Sequence, residues 1–222
     1  MQRTIEPELM LEEEQSQAYA LADFTEPNTH FLNLFQKTFG SELAGSVLDI
    51  GCGNANITLR FAQQYPNCQI DAVDGSTAML SHARQALVYE PLELQQRICL
   101  IEGVIPNVEL TPKRYDVIMS NSVLHHLHNP AVLWEFIKSY GMKGTKIFIG
   151  DLLRPSSPKI AQELVELYAA SEPEILKRDF YNSLLAAFKI SEIKEQLAAA
   201  QIDNLSVTQI SDRHVLVKGS LS

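Results

Sequence analysis

Residues 47–62 read VLDIGCGNANITLRFA, and this stretch decides the fold. A short apolar run, VLDI, ends on Gly51 and Gly53, and ANITLRFAQQY follows with apolar positions at helical spacing. That order is a buried strand, a tight loop and a helix. The unit then repeats. CQIDAVD (residues 68–74) reads as a second buried strand and STAMLSHARQALVY (76–89) as its helix. Past a less regular interval from Pro91 to Pro112, in which QRICLIEG reads as a third strand, come a fourth strand in YDVIMSNS (115–122), the helix PAVLWEFIKSY (130–140) and a fifth strand in GTKIFIGDL (144–152). Strands alternating with helices call for a largely parallel sheet covered on both faces.

The remaining chain elaborates this core. PSSPKIAQELVELYAA and EILKRDFYNSLLAAF read as helical insertions between residues 155 and 190, placed to form a lid. ISEIKEQLAAAQI adds a helix. NLSVTQI and RHVLVKG, separated only by Ser211 and Asp212, read as a terminal antiparallel hairpin. Ahead of the core, residues 1–30 form a helical cap with a charged leader, and Tyr19, Phe24 and His30 within it are candidates to line a pocket. The expected organisation is a cap over residues 1–30 and one domain over 31–222.

Gross composition agrees. The 222 residues divided by a soft ~150 per domain favour one domain with additions over two equal ones. Eighteen basic against 27 acidic side chains give a net charge of −9, which disfavours nonspecific attraction to phosphate backbones and anionic membranes. No apolar run reaches the ~18 residues of a membrane span, and the chain opens on MQRTIEPE without a basic-then-apolar leader. Cys52, Cys68 and Cys99 are odd in number and form no CxxC pair, which suits a reducing compartment. A cytoplasmic location is the expectation, and the oligomeric state stays open.

The glycine pair alone is a weak signal. Gly51, Gly53 and Asn56 stand where a nicotinamide-binding turn has GxGxxG, so the third glycine is missing, and there is no GxxxxGK[ST] sequence. Asp74 sharpens the reading. It ends the second strand about 20 residues beyond the glycines, where a carboxylate accepts hydrogen bonds from a ribose diol. Asp49 and Asp74 are also residues of the kind that cap helices or brace turns, and for Asp49 both roles stay open.

VLDIGCGNANITLRFA, IDAVDGSTAML and YDVIMSNSVLHHLHNP, in this order, resemble the landmarks of the class I S-adenosylmethionine-dependent methyltransferases. The likeness covers residues 30–153 strongly and the final helix and hairpin more loosely. It implies an α/β fold: a doubly wound, Rossmann-like, seven-stranded and mainly parallel sheet with a terminal antiparallel hairpin. It also implies S-adenosyl-L-methionine as cofactor and a separate methyl acceptor. By the resemblance, Asp49, Gly51 and Gly53 shape the site around the cofactor's methionine part, Asp74 and Gly75 hold the ribose, and Ser76 and Met79 flank the adenine. Asn121 and Ser122, beside Ser120, lie where the fourth-strand loop meets cofactor and substrate. One landmark departs from the family: Val104, not an aspartate, follows Gly103, which leaves Glu102 or the backbone near Val104 to recognise adenine.

Methyl transfer asks for alignment of acceptor and methyl donor and needs no covalent protein intermediate. His125, His126 and His128 in HHLH follow the fourth strand, and His125 is the preferred acid–base candidate, with helix capping as the structural alternative. Asp151 and Arg154 follow the fifth strand, on the functional side of such a sheet. Arg178, Tyr181 and Asn182 in the lid, and Arg213 and His214 in the hairpin, are further candidates for substrate contact, and the arginines suit an anionic group. No metal is expected, because the histidines lack a third ligand nearby in sequence. SNSV is not the Asn/Asp-Pro-Pro-aromatic motif of many nucleic-acid amino methylases, and no Pro-Cys nucleophile occurs. The expected partner is a small-molecule acceptor, without nucleic acid or membrane. A nonenzymatic cofactor-binding regulator and, more distantly, an NAD-dependent oxidoreductase are the alternatives.

Overall fold

The structure, a computed structural model, describes residues 1–7, 13–111 and 114–222. Part of the charged leader (residues 8–12) and the Pro112 end of the irregular interval lie outside the described residues. The chain runs α1 (Glu13–Leu21), α2 (Thr25–Phe39), β1 (Ala44–Ile50), α3 (Asn56–Gln64), β2 (Asn67–Asp74), α4 (Thr77–Val88), α5 (Leu92–Gln95) and β3 (Ile98–Glu102). It continues through β4 (Val117–Asn121), a 3-10 turn (Leu124–His126), α6 (Ala131–Tyr140), β5 (Lys146–Leu152), α7 (Pro158–Tyr168), α8 (Glu174–Ala186), α9 (Ile190–Ala199), β6 (Leu205–Gln209) and β7 (His214–Ser220).

The seven strands lie in the order β3-β2-β1-β4-β5-β7-β6. The first five pair in parallel, and β7 runs antiparallel to both β5 and β6. This is the doubly wound, mainly parallel sheet with a terminal hairpin that the sequence leads one to expect. Among the described residues, the single turn α5 and the 3-10 turn at Leu124–His126 are unannounced by the apolar pattern. Among the described residues no helix is long and apolar enough to cross a membrane.

Strand alternation builds two cores. In β4, Ile118 enters one cluster with Trp134 and Ile137 of α6 and Ile193 and Leu197 of α9. Its neighbours Val117 and Met119 enter the other, with Phe35 of α2, Phe61 of α3 and Leu80 of α4. Phe148 of β5 faces the second cluster while Ile147 and Ile149 face the first. A strand with both faces covered reads as a continuous apolar run, which is why β4 and β5 are legible in sequence. α2 crosses residue 30, so the cap continues directly into the core through buried Phe31, Leu32 and Phe35. A third, smaller cluster joins α7 and α8 through Leu164, Val165, Leu184 and Ala187 beside Leu152 at the end of β5.

Phe35 is fully buried, and its ring meets those of Phe39, Phe61, Tyr65 and Phe148 at centroid distances of 5.1, 5.0, 5.6 and 5.1 Å. Truncation at so crowded a point leaves a cavity that four rings cannot all collapse to fill. Phe35→Ala is expected to cost about 3–5 kcal/mol, measured as a fall in the urea midpoint at unchanged slope; a loss below ~1 kcal/mol would contradict this packing.

Candidate active site

Strand order reverses between β1 and β4, each at the start of one half of the sheet, and a crevice opens beyond their carboxyl ends. The turn after β1 is drawn tight across it. The N–H groups of Gly51 and Cys52 both donate to Val73 O, at 2.8 and 3.0 Å, and Gly53 N–H donates to Asp74 Oδ2 at 2.8 Å. Gly51 has φ +72°, and a Cβ there would overlap a methyl of Val123 in the loop after β4. Glycine is needed because two loops meet at that point. Ser120 Oγ, buried, donates to Ile50 O at 2.7 Å and ties β4 to β1 just below the crevice.

Asp74 also accepts from Ser76 N–H at 2.8 Å, through Oδ1. Ser76 in turn caps α4 by accepting from Met79 N–H at 3.2 Å. Burial raises the Asp74 pKa, and the two N–H bonds oppose that rise. Asp49 is buried and accepts from Thr58 Oγ1 at 2.6 Å. Burial pushes its pKa up to about 7 against the Thr58 bond, with a further upward push from the Asp74 charge. Asp49, Gly51, Gly53 and Asn121 line one cleft together with Tyr19 and Phe24. The two aromatic rings stack at 4.6 Å, and Tyr19 lies close enough to Asp74 for that charge, after burial, to raise its hydroxyl pKa. Asn28 and Asn56 also line the cleft and bond to each other at 3.0 Å. Sequence reasoning met Asn56 only as a missing glycine and passed over Asn28.

Asp74, Gly75, Ser76 and Met79 stand behind the glycine turn, with Met79 buried and its terminal methyl 3.2 Å from where a Gly53 Cβ would lie. At the far rim Gly103 N–H donates to Asp74 O at 3.0 Å and Val104 is exposed. Glu102 accepts from Thr77 Oγ1 at 2.8 Å and meets Arg84 at 3.8 Å on the surface, half exposed. Asn121 Nδ2 donates to Ser122 Oγ at 3.2 Å, and Ser122 takes φ +59°.

A second constellation sits at the ends of β4 and β5. His125 and Asp151 are both buried, with Nδ1 of His125 2.6 Å from Asp151 Oδ1. Burial lowers the His125 pKa, but the charge and hydrogen bond of Asp151, helped by Glu6, overcome it and leave the net shift upward. For Asp151, burial raises the pKa while His125 lowers it, and the net shift is downward. Glu6 joins them, although no motif or spacing points to it. Its Oε1 lies 3.5 Å from His125 Nε2 and 3.3 Å from His126 Nδ1. An N-terminal strap delivers it: Arg3 donates to Ala186 O, His125 O and Leu127 O at 2.6, 2.7 and 3.0 Å and stacks on Phe188 at 4.0 Å. Burial, with the His125 charge, pushes the His126 pKa down to about 3.

The other candidates are dispersed. Arg154, 6% exposed, pairs with Glu192 of α9, while its Nε and Nη1 are buried without a hydrogen-bond partner. Arg178 and Tyr181 line a separate hollow between α7 and α8 that shares no residue with the glycine-turn cleft, and Asn182 is exposed on α8. Arg213 stacks on Tyr168 and pairs with Asp212 at 3.1 Å. His214 contacts Ser211 Oγ at 2.9 Å, and burial with the Arg213 charge lowers its pKa to about 4.

A family model described as a methyltransferase domain matches residues 47–140, the span from β1 through α6 that contains the glycine turn, Asp74 and Asn121. The chain is 30% identical over 120 residues to a malonyl-[acyl-carrier protein] O-methyltransferase of Bacillus cytotoxicus, a match covering 54% of this chain and 40% of that protein. The chain thus matches less than half the length of this curated relative. Among solved structures, a SAM-dependent methyltransferase from Aquifex aeolicus superposes with a TM-score of 0.69 at 17% identity, covering 94% of this chain and 98% of that one. The plantazolicin methyltransferase BpumL, solved with a monoazolic desmethylPZN analogue and SAH, gives 0.62 at 18% identity, covering 93% and 86%. These likenesses carry the methyltransferase fold across nearly the whole chain.

Asp49 supplies a pH test of the site. Its ordinary pKa of 3.8 rises to about 7 in the fold, so between these values folding must take up a proton. The penalty for ionising it is absent below about pH 4 and complete above about pH 7, and stability falls across that window. Asp49→Asn should therefore gain melting temperature over the parent chain as pH rises from 4 to 8. A difference that stays flat with pH would mean that the folded chain does not raise the Asp49 pKa.

Proposed function

We infer that the chain transfers a methyl group from S-adenosylmethionine to a small-molecule acceptor that carries an anionic group. The observation that carries this reading is the hydrogen bonding of the glycine turn. Gly51, Cys52 and Gly53 commit their N–H groups to Val73 O and Asp74, while the Asp49 carboxylate lines the cleft and that of Asp74 stands directly behind the turn. Pyrophosphate recognition draws on N–H donors at such a turn. Carboxylates instead suit a cation and a ribose diol, which argues for an adenosine-bearing cation over NAD. The SAH held by the structural neighbour BpumL supports the same cofactor.

When bound, the cofactor supplies an electrophilic methyl group on a sulfonium. Asp74 would hold the ribose hydroxyls with the lone pairs its backbone bonds leave over, and Asp49 would meet the amino-acid ammonium. Tyr19 and Phe24 would close the cleft against water. His125 donates Nδ1–H to Asp151, which leaves Nε2 as the atom that accepts a proton from the acceptor. Glu6 stands at that nitrogen, so the acceptor must displace its carboxylate. Arg154, buried with two nitrogens unpartnered, is the group that an acceptor anion would satisfy. The curated relative named for malonyl-[acyl-carrier protein] fits an acidic acceptor. Three cysteines without a disulfide support a cytoplasmic location.

Calorimetry tests the cofactor directly: S-adenosylmethionine and its demethylated product should bind, and NAD should not. Asp74→Ala should weaken binding at least roughly tenfold, because a charge-assisted hydrogen bond is worth about 1.5–3 kcal/mol. Saturable NAD binding without either sulfur cofactor would sink the assignment.

Turnover is tested by an acceptor screen read as one methyl's gain in mass. With an acceptor in hand, kcat/KM should rise with pH as His125 loses its proton, through a pKa above the ordinary 6.5. Asp151→Asn removes the main cause of that elevation and should move the rising limb to lower pH. A limb that does not move would show that His125 is not the proton acceptor.

A further inference from the structure

The Glu6, His125 and His126 cluster offers three donor atoms where a proton acceptor needs one, and an ion bound there would occupy the Nε2 of His125, so the metal-bound and proton-accepting forms of this histidine are alternative states of the site. The geometry points to a binding site for a divalent transition metal of the zinc class, with Glu6 Oε1, His125 Nε2 and His126 Nδ1 as protein ligands. The three donor atoms all lie within 4.8 Å of one another. Glu6 Oε1 stands 3.3 Å from His126 Nδ1 and 3.5 Å from His125 Nε2. Zinc–ligand bonds of about 2.0–2.1 Å at tetrahedral angles separate donor atoms by roughly 3.3 Å. Two edges of the triangle therefore already have the spacing that coordination needs. A water or the acceptor would take the fourth position, as in open zinc sites.

Two independent features select these atoms. Glu6 Oε1 is buried with no hydrogen-bond partner, on a side chain only 10% exposed. The other carboxylate oxygen accepts from Ser183 Oγ at 3.3 Å, which leaves Oε1 turned to the imidazoles. Burying a carboxylate oxygen unsatisfied is costly, and a cation removes that cost. Behind the cluster, Asp151 Oδ1 holds Nδ1 of His125 at 2.6 Å. A carboxylate on the far nitrogen is the usual support of a metal-bound histidine: it fixes the tautomer that presents Nε2 and raises its basicity.

The strap keeps Glu6 in place through Arg3 and through a contact of 2.8 Å between His128 Nε2 and Glu6 O. His126 Nδ1 also faces Pro7 O at 3.3 Å. Without an ion, an Nδ1–H fills that contact; with an ion, His126 carries its proton on Nε2 and any proton on His125 Nε2 is released. The expectation of no metal rested on the lack of a third ligand near HHLH in sequence, and Glu6, which lies in no motif and far from HHLH along the chain, is the ligand that spacing could not reveal.

Zinc binding by the full chain, measured by calorimetry with Zn²⁺ alone and no cofactor or acceptor, tests the site. One ion per chain is expected. Glu6→Gln and His126→Asn should each weaken binding at least roughly tenfold, and Asp151→Asn by about 10–100-fold, with circular dichroism showing that each variant is folded. Co²⁺ as a second probe should give the visible spectrum of a four-coordinate nitrogen and oxygen site, lost in Glu6→Gln. Absence of saturable Zn²⁺ binding, or an affinity unchanged in both Glu6→Gln and His126→Asn, would overturn the proposal. The two readings fail separately when turnover is assayed with a chelator present: zinc binding without turnover of any acceptor by the metal-free chain speaks against methyl transfer alone, and turnover without zinc binding against the metal alone.

Discussion

The Asp74 carboxylate is the constraint on which the crevice depends. One oxygen takes the N–H of Gly53 and the other that of Ser76, both at 2.8 Å, so a single side chain at the end of β2 fixes the turn after β1 and the start of α4 together. Each of these groups would otherwise be an unpaired donor in a poorly hydrated corner, where a missing partner costs more than a formed bond gains. Asp74 is held well enough to be a fixed acceptor, and its partial burial keeps it from being a relaxed one. Ser76 extends the chain of bonds into α4 and Met79 backs the turn from below.

Burial works on the second constellation in a different way. His125 and Asp151 are both removed from water, which penalises each charge, but at 2.6 Å they compensate each other. The pair is thereby rigid and oriented, the condition for a proton acceptor or a metal ligand alike. Arg3 adds to that rigidity from outside the domain, donating to three main-chain carbonyls, two of them in the 3-10 turn that carries His125 and just after it. The strap thus links the segment before α1 to the loops that follow β4 and α8.

Helices α7 and α8, which the sequence suggested as a lid, contribute mostly packing. α7 and α8 form their own small cluster against the end of β5, and the polar residues they share line a hollow apart from the glycine turn. Arg213 likewise satisfies itself locally on Tyr168 and Asp212. Arg154 is the exception among these arginines, since Glu192 engages only part of its guanidinium.

By itself the sequence determined the alternation of strand and helix, the parallel sheet with its terminal hairpin, the glycine turn and the acidic residues at the ends of β1 and β2. Those features are local: apolar periodicity, turn chemistry and spacing along the chain encode them within a few dozen residues. It also singled out His125 and Asp151, as residues following adjacent strands, without showing that they touch. Only the tertiary structure decided that they form a buried pair, that Arg178 and Tyr181 face another hollow, and that Asn28 joins Asn56 in the cleft. Above all it brought Glu6 to two histidines from the far end of the chain. Such contacts leave no periodicity to read. They follow from which buried polar atoms the assembled fold leaves without a partner, and that is settled only when all the elements are in place.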